Sequence, residues 1–353
     1  MTPSTTTARA TGASPRRGVA RTNRWRLTGL ILALCGLAAL ALLSVAVGSR
    51  PIPLSEVLDA VFNYSGQIEE HIIIAQMRMP RTLVGLAVGA ALGLAGALIQ
   101  ALTRNPLADP GILGVSSGAA FFVALGVSVF GVGTILGYVW FAFAGALVVT
   151  LAVYLIGSAG RGSADPVRLT LAGVALGAVL SGLTTAMTLL DPTAFDQMRH
   201  WNAGVIAGRG YDILLPVLPF LCAGVLIALL VARPLNSIAL GEDLAAALGT
   251  NTLWTRIAVV AAVTLLAGGA TAIAGPIGFI GLMVPHIARW IVGPAQPWIL
   301  GYTLVLAPAL LLISDVIGRV VLRPGEVPVG IITAFVGAPV LILLIRRRRA
   351  SGL

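Results

Sequence analysis

RMPRTLVGLAVGAALGLAGALIQALTRNPLADPGILGVSSG, residues 78–118, decides how the rest of the chain is read. An apolar run of membrane-spanning length lies between Arg78 and Arg81 at one end and a polar, proline-punctuated loop at the other. That loop leads straight into another apolar run. The pattern predicts a helix crossing a bilayer, a turn at the far side and a returning span. Gly85, Gly89 and Gly93 recur at i, i+4 and i+8 on one helix face, with Gly96 close by. Such spacing predicts a seam where a neighbouring helix comes close to the backbone.

Composition extends this reading to the whole chain. Of 353 residues, 58% are hydrophobic and 10% charged, and the mean hydropathy is +0.97. These values describe an all-α, polytopic membrane protein rather than a soluble one. The net charge of +10 is carried by the two ends, since six arginines precede the first apolar run and four, Arg346 to Arg349, follow the last. Arginines placed beside spans set topology, and no nucleic-acid partner is expected. The chain has no lysine, which excludes a Walker A phosphate loop and Schiff-base catalysis. Cys35 and Cys222 lie within apolar runs and read as small hydrophobes. His71, His200 and His286 are far apart with no metal-ligand spacing, so neither a metal nor a cofactor is expected.

Apolar windows of spanning length fall near 27–47, 82–102, 112–130, 134–157, 167–190, 213–232, 254–274, 277–292, 298–318 and 328–345. The ten include two, 112–130 and 277–292, that are short or rich in Gly and Pro and predict tilted or broken helices. Residues 1–26 read as a disordered basic cytoplasmic tail, 27–348 as one transmembrane domain and 349–353 as a second tail. The first run exceeds the roughly 7 to 15 residues of a signal-peptide core and reads as a retained span. An even number of spans places both termini in the cytoplasm, in keeping with their arginines. The segments 49–77, 191–212 and 319–328 then lie outside and carry most of the acids, while Arg78, Arg81, Arg319 and Arg323 are outside arginines that need a reason.

The segment 233–256 is long and only moderately polar for a loop. Gly241-Glu242-Asp243, an alanine-rich body and Gly249 predict two short helices with a turn and a glycine stop. Such a helix, if it lies along the membrane, either docks into a groove on a partner or forms an ordinary surface.

The 78–119 stretch, the segment from Ile238 to Gly249, GPIGFIGLMVPHIAR at 275–289, DVIGR at 315–319 and PVGIITAFVGAP at 328–339 together resemble the FecCD-type permeases. The similarity runs over about residues 30–348, in order. It implies a type II ABC importer permease fold for the bacterial cytoplasmic membrane, with a ferric siderophore, haem or vitamin B12 as cargo. It also implies three partners: a separate ATP-binding subunit that does the hydrolysis, an extracytoplasmic substrate-binding protein and a second permease copy, the same or paralogous. Asn105 and Leu107 would form a cytoplasmic gate. Gly241, Glu242, Ala246 and Gly249 would stand in the helices that couple to the ATPase, and Arg78, Arg81 and Arg319 would meet acids on the binding protein. His286 would be a packed residue. A proton-coupled carrier or intramembrane enzyme would instead need paired carboxylates, a nucleophile dyad or metal ligands within spans. The spans offer Asp315, which stands four residues before Arg319 and can pair with it along the helix.

Overall fold

A computed structural model describes residues 19–20, 22–48, 50–158 and 166–349. The chain is helical throughout, with no strand among the described residues. It begins with α1 (Asn23–Ala46), α2 (Leu54–Phe62) and α3 (Glu69–Ile73); a π turn (Ile74–Arg78) then runs directly into α4 (Met79–Thr103). A 3-10 turn (Pro110–Leu113) leads to α5 (Val115–Ser128), α6 (Ile135–Ser158), α7 (Pro166–Leu190), α8 (Pro192–Asn202) and α9 (Tyr211–Leu230). The last third holds α10 (Ala232–Ile238), α11 (Glu242–Ala247), α12 (Thr252–Ala274), α13 (Ile280–Val292), α14 (Gln296–Val321) and α15 (Val329–Arg349).

Among the described residues, seven helices are long and apolar enough to cross a membrane, and α5, α13 and α15 are shorter apolar helices. Together they fall on the ten windows read from the sequence. The segments expected to lie outside are less loop-like than expected, since 49–77 contains α2 and α3, and 191–212 contains α8. The helical chain also starts earlier than the expected tail boundary. Thr22 caps α1 by accepting from the Trp25 N–H, and the main chain of Val19 and Ala20 donates to the carbonyls of Trp290 and Ile291. Residues 1–18, 21 and 350–353 of the two expected tails lie outside the described residues.

Helix α4 is the axis of the bundle, with 78% of its apolar window buried against 11% for α1. The glycine face explains this depth. A Cβ built on Gly89 would stand 2.6 Å from the Pro308 backbone on α14, and one on Gly96 would stand 1.9 Å from the Gly281 carbonyl oxygen. Only a residue without a side chain permits these approaches. The π turn before α4 has a local cause. Pro80 has no N–H to donate and its ring presses on the carbonyl one turn earlier, which a wider turn relieves.

The expected break near 277–292 falls between α12 and α13. Gly275 ends α12 at φ 74°, and Phe279 opens α13 at φ 69°. The exposed backbone of such a break must find partners within the protein. Val205 donates to the Ala274 carbonyl at 2.7 Å, and Gly330 donates to the Gly204 carbonyl at 3.0 Å. Gly204 and Gly330 also pack close to main-chain atoms here, so the junction of the α8–α9 loop, the break and α15 is built largely from backbone.

Replacing Gly96 by Ala is expected to destabilise the protein by about 1–3 kcal/mol or more, as overpacking against fixed backbone does. Gly36→Ala meets nothing within 4 Å. Thermal unfolding in detergent should therefore separate the two variants, with the Gly36 change near neutral.

Candidate functional site

Three groups of side chains stand out, two at opposite ends of α4 and one on the adjoining hairpin. At the N-terminal end is an arginine–carboxylate cluster built by the π turn, the last turns of α14 and the end of α1. Asp315, buried in α14, accepts from Arg81 Nε at 3.1 Å on both oxygens and from Arg81 Nη2 at 2.7 Å. Its Oδ2 also accepts from Arg319 Nε at 2.9 Å and from Arg319 Nη2. Arg81 Nη1 reaches Glu326 at 2.6 Å. Two arginines thus share two acids. Buried charges are tolerated when paired and hydrogen-bonded in this way.

The same arginines close α1. The last carbonyls of a helix have no partner within it and carry the negative end of its dipole. Arg319 Nη1 donates to the carbonyls of Ser44 at 2.6 Å and Val47 at 2.9 Å. Arg78 Nη1 donates to those of Val45 at 3.1 Å and Ala46 at 2.7 Å, and its Nη2 to that of Arg50. Ser44 Oγ bonds Thr82 Oγ1 at 2.8 Å beneath them.

The three arginines expected to meet acids on a binding protein differ in exposure. Arg78 is 5% exposed and Arg319 1%, each with its donors turned to carbonyls or Asp315 inside the protein. Arg81 retains a partly exposed side chain, at 13%. The expected Asp315–Arg319 pair is present, and Arg81, 234 residues from Asp315 in sequence, is the member that helical spacing does not reveal.

Beyond the C-terminal end of α4 lies the turn expected to gate. Arg104 adopts φ 51°, Asn105 Oδ1 accepts from the Leu107 N–H at 3.0 Å, and its carbonyl accepts from the Ala108 N–H at 3.1 Å. Asn105 is exposed and bent back on its own turn, which leaves Leu107 facing an apolar slot. Phe279, Met283, Gly337 and Leu341 line that slot, and it has no room for a water molecule. His286 also borders it, with its ring edge-on to Trp290 at 4.9 Å. Just above, Gln100 is buried in α4 and donates to the carbonyls of Gly281 and Leu282 at 3.1 and 3.0 Å, while accepting from Arg289 at 3.4 Å. Gln100 was not singled out from the sequence. A lone amide within an apolar run is its signal.

The third group is the α10–α11 hairpin. Gly241 at φ 112° and Gly249 at φ 79° bracket α11, as the expected turn and stop require. Leu235 and Ile238 anchor α10 in the core, and Asn236 Oδ1 accepts from the Gln296 N–H at the start of α14. Ala246 and Gly249 are exposed, and Leu240, Leu244 and Leu248 of the hairpin are 62%, 57% and 64% exposed. Exposed leucines on an otherwise anchored hairpin suit docking.

One grouping was not expected. Glu56, Asp59 and buried His71 bring their ligand-type atoms within 4.8 Å of one another. His71 Nδ1 accepts from the Ser65 N–H at 3.0 Å, so the neutral ring carries its proton on Nε2, facing Asp59 at 3.5 Å. In that tautomer the Nε2 proton faces the two acids of α2, Glu56 at 3.8 Å and Asp59 at 3.5 Å, without a hydrogen bond to either.

A bundle of several apolar, membrane-length helices with a broken helix and an exposed hairpin is the architecture of a multi-pass membrane protein. Residues 30–347 match the model of the FecCD transport family, and the chain belongs to that family. It is 51% identical to the ferric enterobactin transport system permease protein FepD of Escherichia coli (strain K12), over 95% of this chain and 98% of that one. It is 40% identical to the probable siderophore transport system permease protein YfiZ of Bacillus subtilis (strain 168), over 86% and 91%. A solved inward-facing metal-chelate type ABC transporter superposes with a TM-score of 0.78 at 28% identity, covering 92% of this chain and 99% of that one. The chain is a multi-pass membrane permease subunit.

Asp315→Asn leaves two buried arginines with one fewer negative charge between them. It is expected to lower stability by about 3–5 kcal/mol. Arg50→Gln, which breaks the exposed pair with Glu69, should cost no more than about 1 kcal/mol. Denaturant or thermal unfolding of the two variants checks the difference.

Proposed function

We propose that the chain, with a second permease copy, lines the pathway of a binding-protein-dependent ABC importer for a ferric siderophore complex. The observation that carries the cargo is the 51% identity to the ferric enterobactin permease along nearly the whole of both chains. With no lysine for a phosphate loop, the chain draws its energy from a separate ATP-binding subunit.

The hairpin is where that subunit docks. Gly241 and Gly249 bracket α11, Glu242 opens it, and Ala246 lies on the exposed surface with the exposed leucines. Both termini and the hairpin face the cytoplasm, and the arginine cluster faces outward. The binding protein sits over that cluster, with Arg81 at the surface and Arg78 and Arg319 holding the frame beneath. ATP-driven closure of the catalytic subunits moves the hairpins, and Asn105 and Leu107 open and close the inner end by alternating access. The Leu107 slot supports a gate of this kind, since an apolar constriction without water blocks passage without holding cargo.

Proteoliposomes containing the complete transporter, with binding protein inside or outside, test the reading. ATP-dependent uptake of a ferric catecholate siderophore is expected, and Leu244→Glu should reduce it about tenfold, as loss of an interface anchor does. Uphill uptake by the chain without an ATPase would overturn the proposal.

A further inference from the structure

A cavity of about 560 Å³ opens beside the arginine cluster, between the start of α4 and the loop that precedes α9. Its lining includes Arg50, Arg78, Arg81 and Arg209 against Asp212 and Glu326. The charges on this wall are not equally balanced. Arg81 is matched by Asp315 and Glu326, and Arg50 by Glu69 and Glu70. Arg78 donates to neutral carbonyls alone, so its charge has no counter-ion. Arg209 makes no hydrogen bond or ion pair with any described residue, and its Nε is buried.

Arg209 also borders a second cavity, of about 600 Å³, on the other side of the loop. That wall carries Arg199, His200 and Asp196, and Asp196 lies 3.7 Å from Arg199. Residues 207–209 therefore form a thin partition with the Arg209 guanidinium in it. Burial pushes that guanidinium down from the usual arginine range, with Tyr138 acting in the opposite direction. A buried donor without an acceptor is costly, and guanidinium groups pair best with the paired oxygens of a carboxylate or phosphate.

We infer that the cavity between Arg78 and Arg209 is a binding site for an oxyanion, a carboxylate or phosphate group brought by a small solute or by a lipid headgroup. The volume is that of a small-molecule site and exceeds what a single phosphate needs, which favours a polycarboxylate or a headgroup. An oxyanion there supplies acceptors to Arg209 Nε and a counter-charge to Arg78. The inference does not depend on the import reading, because binding is measured without transport.

The test uses the full chain in nanodiscs with citrate as the probe. In phosphatidylcholine discs, calorimetry should give saturable citrate binding that Arg209→Gln weakens about tenfold or more and Arg209→Lys weakens less. Arg50→Gln should change it little, because that charge is already matched. If citrate binds only weakly but phosphatidylglycerol co-purifies with the wild type and not with Arg209→Gln, the oxyanion is a headgroup and the site stands. The Arg209 variants should keep the wild-type melting temperature, since Arg209 holds nothing in place. Equal binding by wild type and Arg209→Gln in both arms would overturn the assignment. So would an equal loss from Arg50→Gln and Arg209→Gln, which marks a diffuse field and not a site.

Discussion

Asp315 lies buried between Arg81 and Arg319, and the half of the bundle around the start of α4 depends on that contact. A carboxylate in an apolar interior is costly by itself, and two guanidinium groups in the same place are costlier still. Together with Glu326, which pairs with Arg81, the charges balance, and the groups are hydrogen-bonded to one another. Because Arg81 belongs to α4 and Asp315 to α14, the pairing joins the two helices at the place where the glycine seam ends. Arg319 then extends the network to the end of α1, a helix with little burial of its own. In a bilayer, where lipid competes equally for apolar side chains, such polar ties carry much of the specificity of packing.

This arrangement changes what the arginines mean for transport. Conspicuous outside arginines read from sequence as partners for acids on another protein. Two of the three have their donors engaged within the chain. In the docking proposed above, these two hold the frame on which a partner settles and Arg81 makes the contact. At the other end of α4, the Asn105 turn and the Leu107 slot sit beside the broken α12–α13 junction, whose main chain is held by loop and helix N–H groups. A rigid α4 therefore links the arginine cluster to the turn after Thr103, about 37 Å away for a 25-residue helix.

Much of this was legible in the chain. Apolar windows placed the ten hydrophobic helices described, Gly85, Gly89 and Gly93 marked the seam against α14 with Gly96 against α13, and Gly241 and Gly249 bounded α11. Periodicity carries that information because burial in a helix repeats with the turn. Contacts between distant segments leave no such trace. Nothing local to Arg81 indicates Asp315, nothing near Arg78 indicates the carbonyls of α1, and His71 meets Glu56 and Asp59 only because α3 folds back on α2. The helix α8 was hidden for another reason: its polar sequence reads as loop, and Ala194, Met198 and Trp201 become a buried face only once the neighbouring helices are in place.

A double-mutant cycle on Arg81→Gln and Asp315→Asn, read as unfolding free energy in detergent, tests the central claim most directly. If the pair ties α4 to α14, the two changes together should cost less than the sum of their separate effects by at least about 1.5 kcal/mol. Additivity to within about 0.5 kcal/mol would contradict it, and would mean that the seam holds the two helices without help from the charges.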